Sequence, residues 1–315
     1  MKILVLGAGA TGGYFGGRMV QAGCDVTFLV RPARAEALAA SGLVVESPMG
    51  DVRMPVKTIT ADALGAAWDV VILSCKAYDL EGAIAAVAPA LADEARILPV
   101  LNGLAHLDRL DAAFGADRVL GGLCAIAATL TPDGVVRHLN KVHAFAFGDR
   151  SPEQREFCEA LQTALSPAQF DLRRSEAIVH EMWEKWVLLA SLACATCLMR
   201  APIGDIVAAP GGEAFIIALL DEVQAIATAH GNAARPKVME RTRAMLTERG
   251  SGFTASMLRD LESGAPIEAD HIVGDLLRRG KERDVKTPLL RVAYAHLKAF
   301  EHRRDGTGSG AGTGR

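Results

Sequence analysis

The chain has 315 residues, half of them hydrophobic, which allows about two domains with a large core and excludes general disorder. Its 34 basic and 37 acidic side chains leave a formal charge of −3, so no basic field points to nucleic acid as a partner. The opening run of about five apolar residues is too short for a signal-peptide core, and the longest uncharged helical run, residues 186–199, is shorter than the roughly 20 residues a bilayer requires. No membrane association is expected, and a cytoplasmic location is.

The six cysteines, at positions 24, 75, 124, 158, 194 and 197, sit in apolar contexts without the spacing of a disulfide framework. Cys194 and Cys197 form a C-x-x-C inside an apolar helical run, with no second pair to complete a zinc site. His180-Glu181-Met182-Trp183-Glu184 carries a glutamate where a zinc-protease motif needs its second histidine. No metal is expected.

In chain order, the strand-like run Lys2-Ile3-Leu4-Val5-Leu6 leads into Gly7-Ala8-Gly9-Ala10-Thr11-Gly12 and then a helix-like stretch from Tyr14 to Gln21, closed by Gly23. A glycine-rich turn in this context lets backbone N–H groups and a helix N-terminus meet a pyrophosphate. Gly7 permits the tight turn, Gly9 the close approach and Gly12 the helix–strand contact, with Ala8, Ala10 and Thr11 completing the cradle. A second strand, 26–30, ends in Arg31 rather than in Asp or Glu. A guanidinium there accommodates a ribose 2′-phosphate, so NADP is favoured over NAD; the alternative is that Arg31, like Arg34, is a solvated loop cation.

Further strands are expected at 43–46, 70–74, 96–100 and 119–125. A pair at 135–138 and 143–147 follows the turn Thr131-Pro132-Asp133-Gly134 and makes the sheet mixed at that end. The fold class expected is α/β, an N-terminal Rossmann-type doubly wound sheet over residues 1–173 followed by an all-α domain over 174–303. Its main helices are placed at 175–199 and 212–230, and Pro266 is placed to begin a helix carrying Glu268 near its first turn. The glycine-rich tail, 304–315, is expected to be flexible.

In an open α/β sheet ligands bind outside the carboxyl ends of the strands. That rule selects Lys76, after the run 69–75, and Asn102, after 97–101, together with the glycine turn and Arg31. Lys76 alone reads as an exposed loop lysine, and Asn102 before Gly103 could simply form a turn; joined to the others, they become candidate cofactor or substrate contacts. Lys185, between Trp183 and Trp186, is either a desolvated proton donor or an amphipathic lysine reaching to water.

With the glycine fingerprint, Arg31, Lys76-Ala77, Leu101-Asn102-Gly103, Trp183-Glu184-Lys185, and Ser256-Met257-Leu258 followed by Glu268, the chain resembles the ketopantoate reductase family from Met1 to about Phe300. The resemblance implies NADPH-dependent reduction of 2-dehydropantoate to (R)-pantoate in pantothenate biosynthesis, with the active site in the cleft between a nucleotide-binding and a helical domain. It also implies roles. Lys185 matches the general acid, Glu268 a carboxylate that helps hold substrate and cofactor, and Ser256 a hydroxyl donor to substrate. Asn102 matches the asparagine shared by cofactor and substrate, Lys76 lies on the cofactor side, and Ala127 is placed, to within about a residue, as a backbone contact to the nicotinamide. The partner is a small 2-oxo acid, and a homodimer is compatible with the reading.

The chain departs from the family where characterised members carry asparagines after the lysine: Leu189, Ala193 and about Ile203 stand there. Losing amide partners for a substrate hydroxyl removes about 1–3 kcal/mol per buried group, which leaves open a reductase of a less polar 2-oxo acid. Arg200 could supply a replacement carboxylate contact, although a helix-end cation is the preferred reading. A non-catalytic NADPH sensor would not need Lys185, Ser256 and Glu268 together.

Overall fold

The computed structural model describes residues 1–309, which divide into two compact units, Met1–Asn102 with His106–Val179, and Gly103–Ala105 with the chain from His180 onward. In the first unit β1 (Lys2–Leu6) is a central strand whose Ile3, Leu4 and Val5 are buried, as expected where both faces of a parallel sheet are covered. The chain turns at Gly7 into α1 (Ala10–Gln21), and continues through β2 (Asp25–Leu29) and α2 (Pro32–Ser41). Next, β3 (Leu43–Glu46) and β4 (Val52–Met54) leave for a second sheet, and β5 (Lys57–Ile59) returns to lie beside β2. With β6 (Trp68–Leu73), α3 (Leu80–Val87) and β7 (Leu91–Pro99), the first sheet is five-stranded and parallel in the order β5-β2-β1-β6-β7.

This corrects the expected membership of that sheet. The run at 43–46 pairs elsewhere, and its place is taken by Lys57-Thr58-Ile59, too short and too polar to announce a strand. After α4 (Ala105–Phe114), Val119 adds one parallel bridge to Ile97 before the chain departs at Gly121 and Gly122 into β8 (Gly121–Leu130). The two strands expected at 135–138 and 143–147 are one, β9 (Val136–Gly148), and α5 (Arg155–Leu165) leads from it to β10 (Asp171–Arg174). In the second sheet β8 lies antiparallel along one edge of β9. The other edge is shared end to end by β3, with Val45 opposite Val136, and β10, with Asp171 opposite Ala144; β4 lies outside β3.

Helix α1 packs against both sheets. Glycine is a poor helix former, yet four glycines of α1 make this position accessible. A Cβ on Gly12 would collide with Ser74 Oγ and the Gly7 carbonyl, and one on Gly16 would lie 2.6 Å from the Phe28 ring, both on the first sheet. On the opposite side a Cβ on Gly13 would lie 2.8 Å from Val136, and one on Gly17 2.8 Å from Leu43, both on the second sheet. Tertiary packing therefore overrides propensity here.

The second unit is helical. It is built on α6 (Ile178–Met199), with α7 (Ile203–Ala208), α8 (Gly212–Ala229), α9 (Pro236–Leu246) and α10 (Ser256–Glu262) following. A π-helical turn, Asp270–Gly274, runs into α11 (Asp275–Glu282), and α12 (Pro288–Ser309) closes the described chain. By length and composition α6 is apolar enough to cross a membrane, but 72% of its most apolar window is buried inside the protein, as in a core helix. Glu184, 5% exposed, anchors it: its carboxylate accepts hydrogen bonds from the Arg235 backbone N–H and Nε at 2.9 and 2.8 Å and from Nη2 at 2.5 Å. Burial alone would push the Glu184 carboxyl up. The side-chain and backbone hydrogen bonds from Arg235 outweigh burial and hold it below the ordinary value.

Residues 304–309 continue α12, because extending a formed helix costs far less than nucleating one. Residues 310–315 of the expected tail lie outside the described residues.

Two substitutions separate glycine packing from glycine propensity. Gly16→Ala should destabilise the protein by about 1–3 kcal/mol through overpacking on Phe28. Gly82→Ala, in α3 with nothing near its Cβ, should stabilise by about 0.5–1 kcal/mol; equal signs in urea denaturation would contradict the packing account. Glu184, with its lowered folded pKa, supplies stability that is fully present above the unfolded value of about 4.3 and is lost as pH falls through the folded one. Glu184→Gln should lower stability at neutral pH and flatten this acid limb, measured by denaturation at stepped pH.

Candidate functional site

Register places the loops of the first unit. Leu6 pairs with Leu29 on one side and with Leu73 on the other, and Leu73 pairs with Pro99, so four parallel strands end level with one another. Backbone bonds stitch the exits together: Gly7 N–H to the Leu29 carbonyl at 2.9 Å and Val100 N–H to the Leu73 carbonyl at 2.9 Å. Ser74 Oγ donates to the Leu6 carbonyl at 2.9 Å. The glycine turn, Arg31, Lys76 and Asn102 thus leave the sheet from one edge.

The turn fits an anionic group. Gly7 has φ +87°, a conformation that disfavours other residues, and no atom lies within 4 Å of a Cβ built on Gly7 or Gly9. Gly9 stands at the N-cap of α1, with no side-chain cap and no acidic residue in the first turn, so Ala10, Thr11 and Gly12 start a helix whose N–H groups suit a phosphate. Ala8 is buried beneath the turn.

The two arginines after β2 separate. Arg31 caps α2, and its side chain is 88% exposed, within 3.7 Å of Asp79. Arg34 is not a solvated cation: it is half-buried, and its Nη2 donates to the Ala8 carbonyl at 3.0 Å and to the Gly134 carbonyl at 3.1 Å. Sequence reasoning missed this because both partners are backbone carbonyls, which leave no residue signature.

Lys76, half-buried, opens a short 3₁₀ turn ahead of α3. Asn102 is half-buried, and Gly103 after it has φ +73°, in a bend that leads into α4. Ala127 lies outside the row of strand ends, in β8 of the second sheet, where the pairing with β9 shifts register between Ile126 and Ala128. Such an irregularity re-aims the backbone.

In the second unit α6 carries Lys185, half-buried, and holds the segments that carry Glu268 and Ser256. The indole of Trp186, 1% exposed, donates to the Ile272 carbonyl at 3.0 Å. The Ile272 N–H in turn bonds the Glu268 carbonyl at 3.0 Å, so Glu268 stands at the start of the helical turn that Trp186 grips. Pro266 does not begin that helix. Residues 265–268 are irregular and the helical turn opens after Glu268, which brings its buried side chain close to the element end rather than inside a first turn. Further along α6, Thr196 Oγ1 accepts from the Ala255 N–H at 3.5 Å, which fastens the start of α10, where Ser256 is exposed.

Leu189 follows Lys185 by one helical turn and is half-buried, whereas Ala193 and Ile203 are buried. Arg200 ends α6 with φ +54° and an exposed side chain, the position of a helix-terminating residue. Cys194 and Cys197 are buried in α6, and burial pushes both thiols up, that of Cys197 to about 12, so both remain protonated. His180 lies 3.6 Å from Glu184, which is committed to Arg235. Among the described residues no group of three or more His, Cys, Asp or Glu is placed to hold a metal ion.

Comparison with known proteins agrees with this architecture. Residues 3–152 match the family described as ketopantoate reductase PanE/ApbA, and residues 177–301 match the ketopantoate reductase PanE/ApbA C-terminal family. The chain is 38% identical to the uncharacterized oxidoreductase YkpB of Bacillus subtilis (strain 168), covering 96% of this chain and 99% of that protein. It is 30% identical to a 2-dehydropantoate 2-reductase of Mesorhizobium japonicum, covering 95% and 97%. The crystal structure of a PanE/ApbA family ketopantoate reductase from Ralstonia eutropha JMP134 superposes with a TM-score of 0.86 at 26% identity, covering 97% of this chain and 100% of that one. Over both of its units, then, the chain belongs to the ketopantoate reductase PanE/ApbA family of oxidoreductases.

Proposed function

We propose that this oxidoreductase reduces a 2-oxo acid with NADPH, and that 2-dehydropantoate is the substrate its relatives support best. The observation that carries the reading is the level row of strand ends, which sets the uncapped N-terminus of α1 and the exposed Arg31 along one edge. Two features favour a bound dinucleotide phosphate: the open space at Gly9 and the first-turn N–H groups of α1. Arg31, with its partner Asp79 only 3.7 Å away and its guanidinium in water, is available to a 2′-phosphate. Lys76 and Asn102, from neighbouring strand ends, add a cation and an amide to the same edge. When bound, the reduced nicotinamide supplies a hydride to the carbonyl carbon of the substrate.

The helical unit supplies the proton in this proposal. Lys185 donates from Nζ to the substrate carbonyl oxygen, on which negative charge develops. Glu268 and Ser256, held to α6 through Ile272 and Ala255, orient the substrate and leave Lys185 as the only proton source assigned. A second reading, the same chemistry on a less polar 2-oxo acid, is favoured by Leu189, half-buried one turn beyond Lys185 where family asparagines stand.

NADPH oxidation measured against 2-dehydropantoate and a panel of 2-oxo acids with apolar side chains tests the reading. Turnover of 2-dehydropantoate supports the first version and turnover of an apolar acid alone the second, while NADPH binding without any turnover would remove both. Lys185→Ala should lower kcat by roughly 10²-fold or more, and an unchanged kcat would remove Lys185 as the acid. Arg31→Ala should raise the Kd of NADPH far more than that of NADH; equal losses would show that Arg31 does not read the 2′-phosphate.

A further inference from the structure

Three segments far apart in sequence meet at the Arg34 guanidinium. One is the glycine turn, through the Ala8 carbonyl; another is the turn joining β8 to β9, through the Gly134 carbonyl; the third is α2, which carries Arg34 itself. The hairpin turn is shaped to receive it. Gly134 has φ +83°, its N–H bonds the Thr131 carbonyl at 2.9 Å, and a Cβ there would lie 2.5 Å from Arg34 Nη1. Only glycine satisfies both demands.

The grip has a directional consequence. A trans peptide is planar, with its carbonyl and the following N–H pointing opposite ways. Holding the Ala8 carbonyl toward Arg34 therefore turns the Gly9 N–H away from Arg34, while the Gly7 N–H is already fixed on the Leu29 carbonyl at 2.9 Å. The Ala8–Gly9 peptide is thus clamped just ahead of α1. The Arg34 N–H also bonds the Arg31 carbonyl at 2.9 Å, so the guanidinium that clamps and the guanidinium that faces water belong to one helical turn.

We infer that Arg34 is a positioning residue for cofactor binding: with the Gly134 turn as its second anchor, it sets the orientation of the Ala8–Gly9 peptide in the phosphate-binding turn. The inference rests on the dinucleotide reading above. It assigns to the β8–β9 hairpin, outside the nucleotide-binding sheet, a share in cofactor affinity. Because the clamped peptide belongs to the turn to which the proposal assigns the phosphates common to NADPH and NADH, Arg34 should act on both cofactors alike, unlike Arg31. It should leave the chemical step alone once cofactor is saturating.

The test is fluorescence titration of NADPH and NADH with the wild-type protein, Arg34→Met and Gly134→Ala, followed by KM and kcat with whichever 2-oxo acid turns over. Arg34→Met keeps the aliphatic length and removes both donors. Gly134→Ala leaves the arginine but forces its head from the hairpin, and serves alone if the first variant does not fold. Either variant should weaken both nucleotides by roughly tenfold or more, the worth of one hydrogen bond to a charged group, with kcat at saturation held within about threefold. Wild-type affinity for both nucleotides, loss confined to NADPH, or a fall in kcat at unchanged KM would each overturn the inference. If the wild-type protein binds neither nucleotide, the cofactor reading itself fails, a result distinct from those three.

Discussion

The approach of α1 to the strands beside it is the constraint on which the first unit depends. Gly12 lies against Ser74 Oγ and the Gly7 carbonyl, and Gly16 lies against the Phe28 ring, distances that no residue with a Cβ could keep. Because α1 sits this low, its first turn lies against Gly7 and Ser74, at the exits of β1 and β6, whose ends are level with those of β2 and β7. The opposite side of the same helix, through Gly13 and Gly17, receives the second sheet at Val136 and Leu43. One helix thus sets the glycine turn and the place of a sheet formed largely by later strands.

In the helical unit α6 has the corresponding role. Its length is buried at Trp186, Ala190 and Cys194, so it runs through the interior of the unit. Its few polar contacts are used for placement. Glu184 holds Arg235, Trp186 holds the turn after Glu268, and Thr196 holds the start of α10 before Ser256. Burying polar groups is tolerated because each finds a partner. The consequence is that Lys185, Glu268 and Ser256, spread from position 185 to position 268, are all referred to one helix.

What the sequence made legible follows the range of the interactions. The glycine turn, Arg31, and the strands ending before Lys76 and Asn102 are local signals, a few residues each, and the structure has them at strand ends. The second sheet was not legible as such. The run at 43–46 has the composition of any buried strand, and its partner is Val136, ninety residues later, which local pattern cannot choose. β5, at Lys57–Ile59, is stabilised by its neighbour β2 rather than by its own composition. The half-buried place of Arg34 is not legible, because nothing in its neighbourhood hints at the Ala8 and Gly134 carbonyls. Pro266 suggested a helix start that the Trp186–Ile272 bond places later, after Glu268.

We propose that the low seat of α1 and the level strand ends make one dinucleotide-binding edge, with Arg31 at its 2′-phosphate end. A crystal structure of the protein with NADP+ tests it most directly. The diphosphate is expected within hydrogen-bonding distance of the first N–H groups of α1, and the 2′-phosphate against Arg31. A nucleotide bound away from the glycine turn, or a 2′-phosphate held by other groups with Arg31 turned to solvent, would contradict it.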